Sequence, residues 1–354
     1  MSDADLDMVT ARAAAAAARR WSGAIVGDLR PLPGGVSSLT YAARLTVDGI
    51  DRSIVVKMAP PGFPPVRNRD VLRQARVLDQ LAVTGALPVP AVLFHDDGNP
   101  PMFGMEFAEG QSYEPLLDVS QAPPEPGVVR ARAFAAARAL GRLHAADPAV
   151  VSPAGEPTLS IADELSRWSA LLGTVPPDIA PGRDDLQNRL AGRLPDAIPS
   201  TLLHGDYRLA NMLFNGPDLT AVIDWEIWSI GDPRTDLAWL LMHSDPAHRF
   251  HRTRPPADRW AGTGMPAADE TLSAYLTEHP LAEISDLRWF LAYCHYKTAS
   301  TIAVFVKRNR RREVPEAKLV VADEVLAGVV RRGLEILDGA VDPLGPVGAP
   351  HTMG

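Results

Sequence analysis

The sequence predicts an α+β chain of two lobes, a small antiparallel sheet with one main packed helix joined to a larger, mostly helical lobe. Three observations carry this. Period-two apolar alternation is confined to about the first hundred residues, helical periodicity covers nearly all the rest, and prolines 123, 124 and 126 punctuate the change after Gly110. Residues 1–107 are expected to form the first lobe, 108–341 the second, and 342–354, rich in Pro and Gly, a flexible tail.

Residues Asp5 to Trp21 read as an alanine-rich helix. In LTYAARLTV, Leu39, Tyr41, Ala43, Leu45 and Val47 alternate with smaller or more polar residues, which is a strand pattern. Asp48-Gly49 is a tight-turn dipeptide, and the β-branched run Ile54 to Met58 follows it, so the two strands make a hairpin with Lys57 near the end of the second. A helix is expected from Asn68 to Ala82, where Val71, Leu72, Ala75, Leu78 and Leu81 share a face. PVPAVLFHDDGNPPMFGMEF then gives two strands around an Asp-Gly turn, so the first lobe reads β, β, α, β, β. In RARAFAAARALGRLHAAD, Phe134, Ala137, Gly141 and His144 share one face of a long helix. Two short strands, Met212 to Phe214 and Thr220 to Ile223, interrupt the helical remainder, and no internal repeat is visible.

With 354 residues, 46% of them hydrophobic, the chain can bury a full core. A net charge of −8 provides no broad positive field for nucleic acid, and the short basic run Lys307 to Arg312 reads as the charged end of a helix. The single cysteine, Cys294, excludes an intrachain disulfide and a thiolate metal cluster, fits a reducing compartment, and sits on an apolar helical pattern as a core residue would. Neither a secretion signal nor a transit peptide fits the acidic start, and the longest apolar helix carries Arg288, His295 and Lys297, which a membrane span would not tolerate. The expectation is a cytoplasmic monomer or homodimer that binds neither nucleic acid nor membrane.

Candidate chemistry concentrates in HGDYRLANMLFN, His204 to Asn215, and in AVIDWE. Turn formers alone would account for Gly, Asp and Asn here. The spacing says more, because Asp206 precedes Asn211 by five residues, a hairpin follows, and Asp224 ends it. Asn211 and Asp224 form an oxygen pair suited to one or two Mg2+ ions, which leaves Asp206 to face a substrate hydroxyl and aim it at a γ-phosphate. Orientation matters more than basicity in a loose phosphoryl-transfer transition state. Two weaker features accompany the loop. Gly34-Gly35 with Ser37 and Ser38 suits close approach of backbone N–H groups to a phosphate, although a plain β-turn has the same composition. Lys57 on an apolar strand calls for an anion if buried, and would be unremarkable on an exposed edge.

This set resembles the aminoglycoside phosphotransferase family, the small-molecule branch of the protein-kinase-like fold, including the phosphotransferase domains related to those beside acyl-CoA dehydrogenases. The resemblance runs from Leu32 to the helix near residue 305 and rests on HGDYRLANMLF, AVIDWE and GDPRTDLAWLL. It implies that Asp206 is the catalytic aspartate, Asn211 and Asp224 the metal ligands, and Lys57 the lysine on the α- and β-phosphates. It also implies that the turn from Gly34 to Ser38 covers the nucleotide and that the backbone of Met105, Glu106, Phe107 and Ala108 meets the adenine edge. His204 then supports the loop, and Arg208 either sits near the transferred phosphate or braces the loop. Asp232 and Asp236 read as helix-start carboxylates that accept backbone N–H groups and hold the loop, and Trp225, Trp228 and Trp239 as core or as pocket wall. The resemblance implies ATP as the nucleotide, with GTP as the alternative, used with Mg2+.

One position departs from the family pattern. The helix after the lysine strand often offers a glutamate to that lysine, and here the register places Gln74. Asp70, four residues earlier, or the nucleotide phosphates would then supply the negative partner. The leading expectation is an ATP- and Mg-dependent phosphotransferase acting on a small-molecule hydroxyl. A catalytically weak nucleotide-binding pseudoenzyme, a strict aminoglycoside kinase and a metal-dependent phosphoesterase are the alternatives. A protein kinase is disfavoured because the G-x-G-x-x-G, D-F-G and A-P-E signatures are missing. The stretch Leu287 to Arg312 contains no acid, which leans toward an acceptor that is not a polycation, unless Asp163, Glu164, Asp184, Asp185 or Asp269 folds into the cleft.

Overall fold

A computed structural model of the chain describes residues 3–32, 37–118, 120, 122–245, 248 and 262–344. Its first lobe is a five-stranded antiparallel sheet in the order β1 (Ile25–Pro31), β2 (Leu39–Val47), β3 (Ile50–Met58), β5 (Met102–Glu106), β4 (Val92–Asp96). Asp48 and Gly49 both take positive φ, at 51° and 75°, which is what a two-residue hairpin turn requires. Strand β1 was not expected from the sequence. A bulge between Gly27 and Arg30 breaks its alternation, and of its side chains only Val26 is buried, so it has no period-two signal to read.

Helix α1 (Asp3–Ala18) lies on β1 and β4 through Val9, Ala13, Ala16 and Ala17. Arg12 anchors it by donating to the Asp96 carboxylate at 2.8 and 2.6 Å and to the Pro100 carbonyl at 2.7 Å. Helix α2 (Val71–Thr84) starts three residues later than its periodicity suggests, because Arg67–Arg69 form a 3-10 turn and Asp70 caps the helix by accepting the Arg73 N–H at 3.0 Å. Its buried face, Val71, Ala75, Leu78 and Leu81, joins the core of the helical lobe and not the cluster between α1 and the sheet.

Arg73 secures that attachment. Its guanidinium lies 3.8 Å over the Trp228 ring and donates to the Trp228 carbonyl at 2.9 Å and to Glu156 at 3.1 Å, while Trp228 Nε1 donates back to the Arg73 carbonyl at 3.2 Å. The small lobe is therefore tied to the large one through α2.

The described helices of the large lobe are α3 (Pro126–Ala145), α4 (Pro148–Val151), α5 (Ile161–Gly173), α6 (Arg183–Gly192), α7 (Arg234–Met242), α8 (Ala268–Glu278), α9 (Leu287–Asn309) and α10 (Ala317–Leu337). Helix α9 packs against α5, α6, α7 and α10, which is why it is apolar nearly all round. Its Cys294 is fully buried, and burial pushes the thiol up to about 12, as befits a packing residue. Two small ladders support the site: β6 (Thr201–Leu203) pairs with β9 (Ser229–Gly231), and β7 (Met212–Asn215) with β8 (Asp218–Val222). The first ladder was not expected, since three residues per strand are too short to show a period. Among the described residues no helix is long and apolar enough to cross a membrane.

Gly104, central in β5, leaves room for the Phe94 ring, and a Cβ there would lie 2.3 Å from it. Gly104→Ala is expected to cost about 1–3 kcal/mol by overpacking the sheet. Urea unfolding checks this, and a variant with an unchanged midpoint refutes it.

Candidate active site

The loop from His204 to Asn211 leaves β6 and enters β7, and buried partners determine its path. Gly205 has φ +87°, and a Cβ would meet the Ile227 carbonyl at 2.6 Å, so only glycine fits. The N–H groups of His204 and Gly205 donate to the two oxygens of Asp236 at 2.6 and 3.0 Å. His204 Nε2 lies 2.8 Å from the Ile223 carbonyl and its Nδ1 accepts the Asp206 N–H at 3.2 Å, which makes it the neutral Nε2-protonated tautomer. His204 is fully buried and supports the loop from beneath. Lys297 Nζ, from α9, donates to the Gly205 carbonyl and lies 4.3 Å over the Trp239 ring.

Asp206 projects from this frame. Its Oδ1 accepts from Trp239 Nε1 at 2.8 Å and its Oδ2 from Asn211 Nδ2 at 2.8 Å, with Arg208 Nε close to both. The Ile223 N–H donates to the Asn211 carbonyl at 2.9 Å, which brings Asp224 beside Asn211. Asp224 sits in the left-handed region at φ 64°, a strained conformation of the kind concentrated at functional sites. Its Oδ1 accepts from Lys57 Nζ at 3.1 Å, across the cleft between the lobes.

Lys57 is buried and its second partner is Gln74 Oε1 at 3.0 Å. This corrects the expected role of Asp70. Because α2 starts at Val71, Asp70 lies off the helix face and spends its carboxylate on the cap, and the negative partner is Asp224.

Gly34 and Gly35 lie outside the described residues. Ser37 and Ser38, just after them, are buried; Ser37 Oγ donates to Glu226, and Ser38 Oγ has no partner among the described residues. Met105 and Glu106 pair with Val55 and Ile54 of β3. The Phe107 N–H is taken by the Ser53 carbonyl at 3.2 Å, whereas the Ala108 N–H has no acceptor among the described residues. A cavity of about 600 Å3 on this segment is lined by Phe107, Ala108, Phe214 and Gly216 but by none of Lys57, Asp206, Asn211 or Asp224, so it is not the reaction site.

The two carboxylates of GDPRTD divide their work. Asp232 accepts from the N–H and guanidinium of Arg234, itself buried and bonded to the Asp196 and Ser285 carbonyls. Asp236 alone reaches the loop. Of Trp225, Trp228 and Trp239, the first packs on His204 at 4.7 Å, the second joins the lobes, and the third touches Asp206.

Four residues at the site were not assigned from the sequence: Glu114, Glu226, Trp239 as a donor to Asp206, and Lys297. Glu226 had a signal, two residues after Asp224; burial and the Asp224 charge push its carboxyl up. Lys297 had another, a lone cation within an apolar helix. Glu114 had none. It is fully buried, with Oε2 accepting the Ala210 N–H at 3.2 Å and lying 3.8 Å from Arg208, and burial pushes it up to about 7.

The donor set suits a cation that arrives with phosphates. Asn211 Oδ1 and Asp224 Oδ2 take no hydrogen bond from the described residues, and both are hard oxygens. Among the described residues no three His, Cys, Asp or Glu side chains gather to hold a metal unaided.

A small antiparallel sheet above a helical lobe, with a lysine and an aspartate paired across the cleft, is a protein-kinase-like architecture. The chain belongs to the phosphotransferase enzyme family (APH), whose family model matches residues 28–276. It is 28% identical to acyl-CoA dehydrogenase family member 10 of Mus musculus over 78% of this chain and 26% of that protein. It is 25% identical to acyl-CoA dehydrogenase family member 11 of Homo sapiens over 70% of this chain and 32% of that protein, so it spans about a quarter to a third of these relatives. Among solved structures, a protein assigned as an aminoglycoside phosphotransferase from Ralstonia eutropha superposes with TM-score 0.72 at 21% identity, covering 91% of this chain and 96% of that one. Macrolide 2′-phosphotransferase type I superposes with TM-score 0.56 at 21% identity, covering 92% and 98%. A variant aminoglycoside phosphotransferase bound to ADP and hygromycin B superposes with TM-score 0.55 at 16% identity, covering 89% and 97%. These structural likenesses establish the fold.

Glu114 makes stability depend on pH. Its carboxyl is raised in the folded state, so the stability it confers is complete below its unfolded value near 4.5 and is lost as pH rises through about 7. Glu114→Gln should therefore narrow the fall in unfolding free energy between pH 5 and 8, by an amount on the order of 1–3 kcal/mol. Parallel urea titrations of the two proteins at both ends check it; curves that fall equally contradict the assignment.

Proposed function

We propose that the chain is an ATP- and magnesium-dependent phosphotransferase that moves the γ-phosphate to a hydroxyl of a small molecule. The observation that carries this reading is the Lys57–Asp224 pair at 3.1 Å in the cleft, above a loop that joins Asp206 and Asn211 at 2.8 Å. The ADP in one structural relative favours an adenine nucleotide.

Lys57 supplies the fixed charge for the α- and β-phosphates, and the Ala108 N–H the donor for the adenine edge. A bound Mg2+, held by Asn211 and Asp224, would neutralise charge between the β- and γ-phosphates. Asp206 accepts the acceptor hydroxyl and directs its oxygen along the line of transfer. The acceptor oxygen bonds to the γ-phosphorus as the bond from that phosphorus to the β,γ-bridging oxygen breaks. The electron pair leaves on ADP, and the hydroxyl proton passes to Asp206 and on to solvent.

The acceptor is a hydroxylated compound that is not a polycation. Trp239 touches Asp206, and Lys297 Nζ lies 4.3 Å from the Trp239 ring and 5.5 Å from the Trp168 ring. Of the acids that could welcome ammonium groups, Asp163 caps α5 with Ser160, Glu164 accepts from Tyr293 at 2.7 Å, Asp184 lies 3.6 Å from Arg183, Asp185 pairs with Arg189 at 3.1 Å, and Asp269 stands in the first turn of α8.

An ATP-depletion screen across hydroxyacyl compounds, sugars and aminoglycosides identifies the acceptor. With it, Asp206→Asn should bind Mg-ATP nearly as the parent does and turn over about two to four orders of magnitude more slowly. A variant with parental turnover refutes the role of Asp206. Asp224→Ala should weaken nucleotide binding in Mg2+ but not in EDTA, and equal loss in both would refute its place as a metal ligand.

A further inference from the structure

The hydrogen bonding of Asp206 leaves an acceptor hydroxyl nowhere to dock. Oδ1 takes Trp239 Nε1 at 2.8 Å and Arg208 Nε at 3.2 Å; Oδ2 takes Asn211 Nδ2 at 2.8 Å and the same Arg208 Nε at 3.4 Å. A carboxylate offers about four lone-pair sites, and all are in use. One donor must leave before a hydroxyl can bind.

Trp239 and Asn211 are each 9% exposed and built into α7 and the 3-10 turn Leu209–Asn211 that leads into β7, so neither can withdraw without disturbing the loop. The Arg208 side chain is 27% exposed and splits one N–H between two oxygens, both at long range. It also has somewhere to go. Glu114 lies 3.8 Å from Arg208 Nη1, and its Oε1 is buried with no partner among the described residues. A buried unpaired carboxylate oxygen is costly, and a guanidinium with five donors is the group that can relieve it.

We propose that Arg208 is a gate that occupies the acceptor's position on Asp206 at rest, and that Glu114 is the positioning residue that receives the guanidinium when a hydroxyl or water docks. This deepens the reading of Asp206 as the acceptor-facing carboxylate and rests on it. Opening exchanges one shared hydrogen bond on Asp206 for a charge-assisted pair with Glu114, so the resting site is protected from idle transfer to water until the guanidinium moves. The groups that face Glu114 are Arg208, Asp118, Asp206 and the Ala210 N–H. Ionisation of Glu114, which burial delays to about 7, strengthens its hold on Arg208 and favours the open gate.

The probe is water as acceptor: Mg-ATP hydrolysis by the full chain without any other acceptor, with ATP affinity measured alongside. Arg208→Ala should raise the hydrolytic kcat by about three- to tenfold at unchanged KM for ATP, and Glu114→Gln should lower it by a similar factor. The parent rate should climb as pH rises through about 7 and the Glu114→Gln rate should stay flat. In the double variant the Glu114 substitution should have no further effect, since the group it receives is gone. Hydrolysis that falls or stays level in Arg208→Ala, or additive losses in the double variant, would overturn the gate. If the parent shows no measurable hydrolysis, the Nε–H resonance of Arg208, assigned by its loss in Arg208→Lys, decides: it should shift as pH rises through about 7 in the parent and not in Glu114→Gln, and a resonance indifferent to pH in both overturns the proposal. Asp206→Asn separates the two levels, because parental hydrolysis in that variant sinks the reading of Asp206 itself, whatever Arg208 does.

Discussion

The site depends on one buried carboxylate. Asp236, 1% exposed in the first turn of α7, accepts the backbone N–H groups of His204 and Gly205 and so determines where the loop turns toward the cleft. Burial pushes its carboxyl up, and the charge of Lys297 and the two N–H groups pull against that. A lone carboxylate at that depth would be expensive; here the charge of Lys297 and two short donors offset the cost. Remove that frame and Gly205 loses the reason for its left-handed turn, His204 its seat beneath Asp206, and Lys297 its counter-charge.

A second constraint couples the lobes. The sheet supplies Lys57 and the helical lobe supplies Asp224, and their ion pair spans the cleft. Its alignment is held from behind, since Gln74 touches Lys57 and the same helix is clamped to Trp228 by Arg73 one residue earlier. A neutral glutamine in the position where a glutamate is common leaves Asp224 as the residue that balances the ammonium. That carboxylate is also the proposed metal ligand, so the lysine holds it in place on its left-handed backbone in the resting cleft.

Much of this was legible in the sequence because it is local. Period-two alternation located β2, a β-branched run after a tight turn located β3, apolar runs around an Asp-Gly turn located β4 and β5, helical spacing located α2, α3 and α9, and the five-residue interval from Asp206 to Asn211 marked the loop. What escaped lacks a local signature. Strand β1 is bulged and mostly exposed, β6 and β9 are three residues long, and Asp70, which a helix from Asn68 would place on the face of Gln74 as one candidate partner for Lys57, is moved off it by the 3-10 turn that delays α2.

The sequence by itself determined the family and marked the candidate site, because the identity and spacing of Asp206, Asn211 and Asp224 are properties of a chain segment and the hairpin that follows it. Only the tertiary structure decided what surrounds Asp206. Trp239 lies thirty-three residues from it, Lys297 is ninety-two from Gly205, and Glu114 is ninety-six from Ala210, and each is brought in by packing of helices or by the segment after β5. No interval in the sequence encodes such contacts, since burial and charge are paid for jointly by residues that meet only once the core has closed.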